Sequence, residues 1–570
     1  MGVWEIIEIV MRLLGGMGAF LIGMKILSEN MTRLAHGKLK NMLNKTSKSR
    51  FAGVGIGAAV TVIGQSSALT TVMVVGLVNA GIMTLFQATS IIMGANIGTT
   101  FTAWLISLSG FGGFDVTVLM LCFTAVGMFM TMFSKQEKVK TAGSAIAALG
   151  LIFVGLKFVS GALSFEEGTA AYNAVSDLFG KITFPLLLLL IGIVITALVQ
   201  SSMAVTAVII AMTGAGLSIG GGGNAALFII IGSNIGTCVT ALISSLGANT
   251  SAKRAALIHF MFNFFGAIIF TIILWLWKDF CAVVLESVFP TNSAMQIAMF
   301  HTLFNVVNTL LFLPFVKGFV WLAEHIVPAK KADKTEQERA LFGELDERLF
   351  RSPSIALGYL YQQTGEVFSF AMNNLSDAFG AFLVKDKSAI EKIQQHNREL
   401  AEANRRGVSY LVKLSSTPLV LEEEQTVSSL HYVLNDIMRI GELADNITKY
   451  TRHYVDDELV FSDEFIEMIK GMYENIKRLY ALSLSIFLSR DFSKLKELDA
   501  LEDEIDTERK TLVSTHIDRL NEGKCQPQNS GVFINLVGNL ERAADHITYI
   551  AHSIESTAGK PAMIGGKEQA

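Results

Sequence analysis

The chain has 570 residues, of which 51% are hydrophobic and only 17% are charged, and this composition is too apolar for an ordinary soluble protein of its length. The formal net charge of −4 argues against a nucleic-acid partner. The four cysteines are scattered along the chain and suggest no disulfide framework.

The apolar residues are concentrated in the first part of the chain. Between positions 51 and 134 the only charged residue is Asp115, and between 182 and 252 there is none. Because about 20 apolar residues span a bilayer core, we expect a helical membrane domain over residues 1–325. A polar linker follows at 326–352. Acidic and basic residues with apolar residues at helical spacing then predict a soluble helical domain over 353–560. The predicted fold class is therefore all-α.

Three short motifs occur twice, in the same order, in the membrane domain. GAFLIGMK at 18–25 aligns with GLIFVGLK at 150–157, and QSS recurs at 65–67 and 200–202. GANIGT at 94–99 aligns with GSNIGT at 232–237. The offsets of 132, 135 and 138 are nearly constant, which predicts an internal duplication. We expect repeats at about 8–133 and 145–277 and a final helix at about 295–323.

The charged loops predict how the two repeats are oriented. Basic residues lie in the loops at 32–50, 134–144 and 247–254, whereas the loops at 164–181 and 278–294 carry acidic residues. The basic loops all fall on the cytoplasmic side if each QSS segment is a re-entrant hairpin and each repeat crosses the membrane three times. An odd number of crossings inverts the second repeat relative to the first. We therefore expect inverted repeats in the inner (cytoplasmic) membrane, with a cytoplasmic C-terminal domain.

Neutral polar side chains are placed at matched positions of the two repeats. Around the QSS and GxNIGT motifs there is no cluster of Asp, Glu, His or Cys and no nucleophile–base pair, so neither a transition-metal site nor an enzyme active site is expected. Hydroxyl and carbonyl oxygens suit a monovalent cation such as sodium, and helix N-termini suit an oxyanion. The alternative is that these residues only hydrogen-bond packed membrane helices to one another.

Paired QSS motifs, each followed by G-x-N-I-G-T, resemble the sodium-dependent phosphate cotransporter family over about residues 10–320. A third serine is typical of that family, and Ala68 and Met203 stand in its place. The resemblance implies transport of inorganic phosphate with sodium as the coupling ion. It also implies that phosphate or sodium is bound by Gln65, Ser66, Ser67, Asn96, Thr99, Thr100, Gln200, Ser201, Ser202, Asn234 and Thr237.

A further pair of motifs, H-x-x-F-N, occurs at 259–263 and 301–305. Histidine and asparagine four residues apart lie on one face of a helix. The pair indicates either a proton-sensitive element near the site or a structural hydrogen bond between packed helices.

The soluble part resembles the PhoU phosphate-regulatory proteins. Its six predicted helices are compatible with two three-helix units, because MRIGELADNI at 438–447 aligns with ERAADHITYI at 541–550. The resemblance implies a regulatory domain that docks to a partner protein or to itself. It also implies a metal site formed by Asp436, Glu442, Glu541 and Asp545. The alternative for these acids is a salt-bridged or solvated helix face.

Three functions are compatible with these patterns. The first is a sodium-coupled inorganic phosphate symporter that works by alternating access. The second is a phosphate-binding membrane sensor or signalling scaffold, and the third is a transporter of another oxyanion.

Overall fold

A computed structural model describes residues 3–35, 49–108, 116–164, 169, 179–217, 219–328, 341–342 and 345–555. The chain divides into two compact units, Met1–Asp333 and Lys334–Ala570, and the division falls in the stretch predicted as a linker. The regular elements of the described residues are helices, with no strand among them. The all-α prediction is confirmed.

The first unit contains twelve α-helices among its described residues. They are α1 (Val3–Leu34), α2 (Arg50–Gly64), α3 (Ser67–Asn79), α4 (Leu85–Ser107), α5 (Val116–Phe133), α6 (Glu137–Leu163), α7 (Pro185–Val199), α8 (Ser202–Gly214), α9 (Ala225–Ser245), α10 (Thr250–Leu276), α11 (Ser293–Phe312) and α12 (Val316–Ile326). A single 3₁₀ turn, Leu313–Phe315, separates α11 from α12. This break in the predicted final helix contains Pro314, which lacks the N–H that an α-helix needs at that position.

The two helices that carry the first repeated motif, α1 and α6, pack antiparallel to each other. A Cβ at Gly16 would lie 2.8 Å from the carbonyl oxygen of Gly155, and a Cβ at Gly23 would lie 2.9 Å from Ile152. Residue numbers rise along α1 as they fall along α6. The two helices that carry matching copies of this motif thus run in opposite directions.

The first QSS segment folds back on itself. Helices α2 and α4 are parallel, because residue numbers rise along both helices from one contacting pair to the next: Gly53 with Ser90, Gly57 with Ile91, and Thr61 with Gly98. A straight continuation of α2 by α3 would end about 42 Å from the start of α2. The start of α4 lies beside the start of α2, as the contact of Gly53 with Ser90 shows. The connection from Asn79, at the end of α3, to Leu85, at the start of α4, spans at most about 21 Å. Helix α3 must therefore return toward the start of α2.

The second QSS segment has the same arrangement. Helices α7 and α9 are parallel, with Gly192 against Ile229 and Gly236 against Ile193. The loop after α8 returns to the start of α7, where the Gly220 N–H donates to the Phe179 carbonyl at 3.0 Å. Both QSS motifs therefore lie at the turn between two short helices that run in opposite directions.

In the part of the chain that the structure describes, six helices are long and apolar enough to cross a membrane: Ile7–Leu34, Glu137–Leu163, Ala225–Ser245, Thr250–Leu276, Ser293–Ile326 and Ile355–Val384. Helix α4 is not among them, since polar residues interrupt its apolar sequence. The sixth candidate, Ile355–Val384, lies in the second unit, where 56% of its most apolar 18-residue stretch is buried.

The described part of the second unit contains six long helices: α13 (Pro353–Val384), α14 (Ile390–Ser415), α15 (Leu421–Asp456), α16 (Asp463–Ser489), α17 (Leu495–Asn521) and α18 (Ser530–Ser553). The first three contact one another, as do the last three, and α15 packs on α18. This is the pair of three-helix units that the sequence repeat indicates.

Candidate functional site

The glutamine of each QSS motif has a left-handed backbone. Gln65 has φ 50° and ends α2, and Gln200 has φ 57° and ends α7. This conformation is uncommon for a residue other than glycine, and such residues concentrate at functional sites. The same uncommon conformation at both repeated positions indicates that the two turns have the same backbone geometry.

The first serine of each motif caps the helix that follows. Ser66 Oγ accepts from the Leu69 N–H at 3.1 Å, and Ser201 Oγ accepts from the Ala204 N–H at 3.2 Å. The second serines, Ser67 and Ser202, are buried first residues of α3 and α8. Each cap accepts one backbone N–H and leaves those of the first two helical residues directed at the turn, which is the arrangement that binds anions.

The two glutamine side chains have different surroundings. Gln65 is buried; its Oε1 accepts from Thr102 Oγ1 at 3.0 Å, and its Nε2 donates to the Val62 carbonyl. Gln200 is exposed. Thr240, which matches Thr102 at the offset of 138, is buried and its hydroxyl has no hydrogen-bond partner among the described residues. One turn is therefore closed onto its neighbouring helix and the other is open.

The asparagines of the GxNIGT motifs are held in the same way in both repeats. Asn96 Nδ2 donates to the Ile92 carbonyl and Asn234 Nδ2 to the Ile230 carbonyl, each at 3.0 Å. Each bond ties the amide nitrogen to the asparagine's own helix and turns the amide oxygen away from that carbonyl. The motif threonines Thr99, Thr100 and Thr237 also donate to carbonyls of their own helices.

The helices after the turns connect the two repeats reciprocally. Helix α3 of the first repeat contacts α9, which carries GSNIGT, and α8 of the second repeat contacts α4, which carries GANIGT. Each Ser-capped helix thus packs on the asparagine helix of the other repeat. One hydrogen bond links Gln65 to α4 within its own repeat.

Two further residues contact these motifs: Thr102, which the sequence analysis did not single out, and His301, which it placed either near the site or in a structural hydrogen bond between helices. Thr102 binds Gln65, and the offset of 138 that pairs it with Thr240 was the available signal. His301 Nε2 lies 3.4 Å from Asn234 Oδ1. The repeated H-x-x-F-N motif singled out His301 but gave no indication of which residue it contacts.

In the second unit, carboxylates of α17 and α18 face each other. Glu502, Asp506 and Asp545 place ligand oxygens within 4.8 Å of one another. Burial and the nearby Asp506 and Asp545 raise the pKa of Glu502 to about 7. Burial also raises the pKa of Asp545 and of Glu541. Close carboxylates repel one another when they are ionised, and a bound cation would relieve that repulsion.

The four acids predicted as metal ligands are divided among different surroundings. Asp545 belongs to this cluster, and Glu541 lies beside it, 3.9 Å from Arg509. Asp436 Oδ1 lies 2.9 Å from His546 Nδ1, and Glu442 forms an exposed ion pair with Arg439. Sequence reasoning missed Glu502 and Asp506, although E-x-x-x-D at 502–506 has the same spacing as at 541–545.

Comparison with known proteins identifies both parts of the chain. The sequence model described as Na+/Pi-cotransporter matches residues 19–161 and 167–286, and the model of the PhoU domain matches residues 469–554. No solved structure is significantly similar.

Three curated relatives show how far the similarity extends. "Uncharacterized protein YqeW" of Bacillus subtilis (strain 168) is 30% identical over 315 residues, 55% of this chain and 96% of that protein. "Putative inorganic phosphate export protein YjbB" of Escherichia coli O157:H7 is 23% identical over 557 residues, 96% of this chain and 97% of that protein. "Sodium-dependent phosphate transport protein 2A" of Mus musculus is 35% identical over 130 residues, 22% of this chain and 20% of that protein.

Proposed function

Because the chain belongs to the Na+/Pi-cotransporter family, we propose that it transports inorganic phosphate across the cytoplasmic membrane coupled to sodium. The observation that carries this proposal is the matched pair of turns. Each has a left-handed glutamine, a Ser-capped helix start and a following helix that packs on the asparagine helix of the other repeat.

The chemistry of the turns supports binding of phosphate together with sodium. Free N–H groups at the starts of α3 and α8 are suited to phosphate oxygens. The oriented amide oxygens of Asn96 and Asn234 and the nearby carbonyls are suited to a hard monovalent cation. Helices α4 and α9 and both QSS motifs contain no lysine or arginine. Sodium would therefore offset the charge of phosphate in a site that supplies no fixed positive charge.

We further propose that the two halves are inverted repeats with re-entrant hairpins that expose the site alternately to the two sides. The antiparallel packing of α1 on α6 supports the inversion. The returning helices α3 and α8 support the hairpins. The difference between the closed Gln65 turn and the open Gln200 turn is what a site accessible from one side at a time requires.

Uptake into proteoliposomes tests the proposal. An inward sodium gradient is expected to drive accumulation of radiolabelled phosphate, whereas an equal potassium gradient is not. Phosphate binding without accumulation in either direction would instead favour a sensor. Inhibition by sulfate equal to that by unlabelled phosphate would favour a transporter of another oxyanion.

The direction of transport is tested with the same vesicles. The name of a relative that matches nearly the whole chain describes inorganic phosphate export. Export of phosphate is therefore the second candidate function. Vesicles preloaded with phosphate separate the two directions. Efflux that is faster than sodium-driven uptake at matched gradients would favour export.

We propose a regulatory role for the C-terminal PhoU domain, with a hard cation held by Glu502, Asp506 and Asp545. Carboxylate oxygens from two facing helices fit such an ion. Metal analysis of the purified protein should show less bound metal in Asp545→Asn than in the control Glu442→Gln, whose carboxylate pairs with Arg439. Equal metal content in the two variants would contradict the assignment.

A further inference from the structure

The amide oxygen of Asn234 already faces a hydrogen-bond donor. Asn234 Nδ2 donates to the Ile230 carbonyl at 3.0 Å, so its Oδ1 is the atom that faces His301 Nε2 at 3.4 Å. An amide oxygen only accepts hydrogen bonds, which means that Nε2 carries the imidazole proton. The other ring nitrogen, Nδ1, is buried and has no partner among the described residues.

The position of His301 is fixed by its helix. Its side chain is fully buried, and the next residue, Thr302, accepts a hydrogen bond from Trp104 Nε1 at 2.9 Å. The neighbouring rings of Phe300 and Phe304 pack against Phe270. The Nε2–H therefore stays directed at Asn234.

The first repeat shows a different arrangement at the matching asparagine. Asn96 has the same bond to the carbonyl four residues before it. Among the described residues no histidine is hydrogen-bonded to it, whereas Asn234 has His301. The two motif asparagines, alike in sequence, therefore present oxygens of different availability.

His259, in the other H-x-x-F-N motif, provides a natural control. It is equally buried, and the asparagine four residues later donates to its carbonyl as in the 301–305 motif. Its ring nitrogens have no hydrogen-bond partner among the described residues. Of these two described histidines, His301 alone places an imidazole N–H on a GxNIGT motif.

We propose that His301 is a positioning residue that lowers the sodium affinity of the second repeat by directing its N–H at the Asn234 amide oxygen. This inference rests on the proposed function. A donor on that oxygen draws electron density from it and presents a partial positive charge to an approaching cation. Because the bond to Ile230 already orients the Asn234 amide, losing the imidazole would free the oxygen without releasing the amide.

The test compares His301→Leu, which lacks a donor, with His301→Gln, which keeps one, and with the control His259→Leu. The readouts are the sodium concentration for half-maximal phosphate uptake and the KM for phosphate. In His301→Leu we expect half-maximal uptake at about 3- to 10-fold less sodium, the effect of removing one hydrogen bond. The phosphate KM should change by less than about twofold, and the other two variants should stay close to the wild type.

The outcomes separate this inference from the proposed function. No sodium dependence in the wild type would overturn both. Sodium-dependent wild-type uptake with an unchanged or raised sodium requirement in His301→Leu would overturn the role of His301 alone. The role of His301 would also be overturned if His259→Leu lowered the sodium requirement as much as His301→Leu does. His301→Met also lacks a donor and gives the same readout if the leucine variant does not insert.

Discussion

The left-handed turn at Gln65 offers a way to separate the contribution of its side chain from that of its backbone. Replacement with alanine removes the bonds to Thr102 and Val62 but keeps a Cβ in the left-handed conformation. Replacement with glycine removes the same bonds and also relieves the backbone, since glycine adopts positive φ readily. The two variants therefore differ only in the conformational free energy of the left-handed backbone at position 65.

The expected stabilities follow from these contacts. Loss of the Gln65 amide leaves the Thr102 hydroxyl without its acceptor, and Thr102 is only 4% exposed, so Gln65→Ala should lower the free energy of unfolding by about 1–3 kcal/mol. Relief of the left-handed strain should make Gln65→Gly about 1 kcal/mol more stable than Gln65→Ala. Gln200 is exposed, so Gln200→Ala should cost less than Gln65→Ala.

Thermal unfolding in detergent and sodium-driven phosphate uptake in proteoliposomes measure the two effects separately. We expect both Gln65 variants to insert and to lose uptake, with glycine the more stable of the two. If Gln65→Gly transported phosphate at the wild-type rate, Gln65 would serve only to form the turn, and its role in binding would be refuted.

Three further predictions concern helix packing, pH and the domain boundary. Gly57→Ala should prevent α2 from packing on α4, because a Cβ there would lie 2.0 Å from the Ile91 carbonyl oxygen, whereas Gly55→Ala, with nothing within 4 Å, should be tolerated; the yield of monodisperse protein is the measurement. The raised pKa of Glu502, about 7, means that the native state binds a proton which the unfolded state releases near its ordinary pKa of about 4.3. Stability therefore falls as pH rises from about 4 to about 7. Protection of α17 amides from hydrogen exchange, corrected for the intrinsic exchange rate at each pH, should be greater at pH 6 than at pH 8 in the wild type but not in Glu502→Gln. Truncation after Asp333, where the two units divide, should leave sodium-driven uptake intact and alter only its regulation; loss of uptake in well-inserted truncated protein would contradict a purely regulatory tail.

Several features could be read directly from the sequence because they depend on composition and local spacing. Long uncharged runs predict membrane helices whatever their neighbours are. The order and offsets of the repeated motifs located the QSS and GxNIGT segments that the structure places at matched turns and matched helices. The six helices of the second unit were predicted in the same way, since amphipathic spacing is a property of each segment alone.

Other features depend on contacts between residues far apart in the chain. The same three letters, QSS, give a buried glutamine bound to Thr102 and an exposed one at Gln200. No local pattern distinguishes them, because burial is decided by which helix packs over the turn. Of the acids predicted as metal ligands, Asp545 meets Glu502 and Asp506 of another helix, which its own segment does not reveal. Glu442 instead pairs with Arg439 three residues before it on the same helix.

The sequence by itself thus determined the helical class, the positions of the repeated motifs and the neutral chemistry of the turns. Only the tertiary structure decided that α3 and α8 return and contact the asparagine helix of the opposite repeat. It also decided that His301, rather than His259, directs its imidazole at Asn234. The physical reason is that a helix fixes the spacing of its own side chains, whereas the partner that each side chain meets depends on how helices distant in sequence pack together.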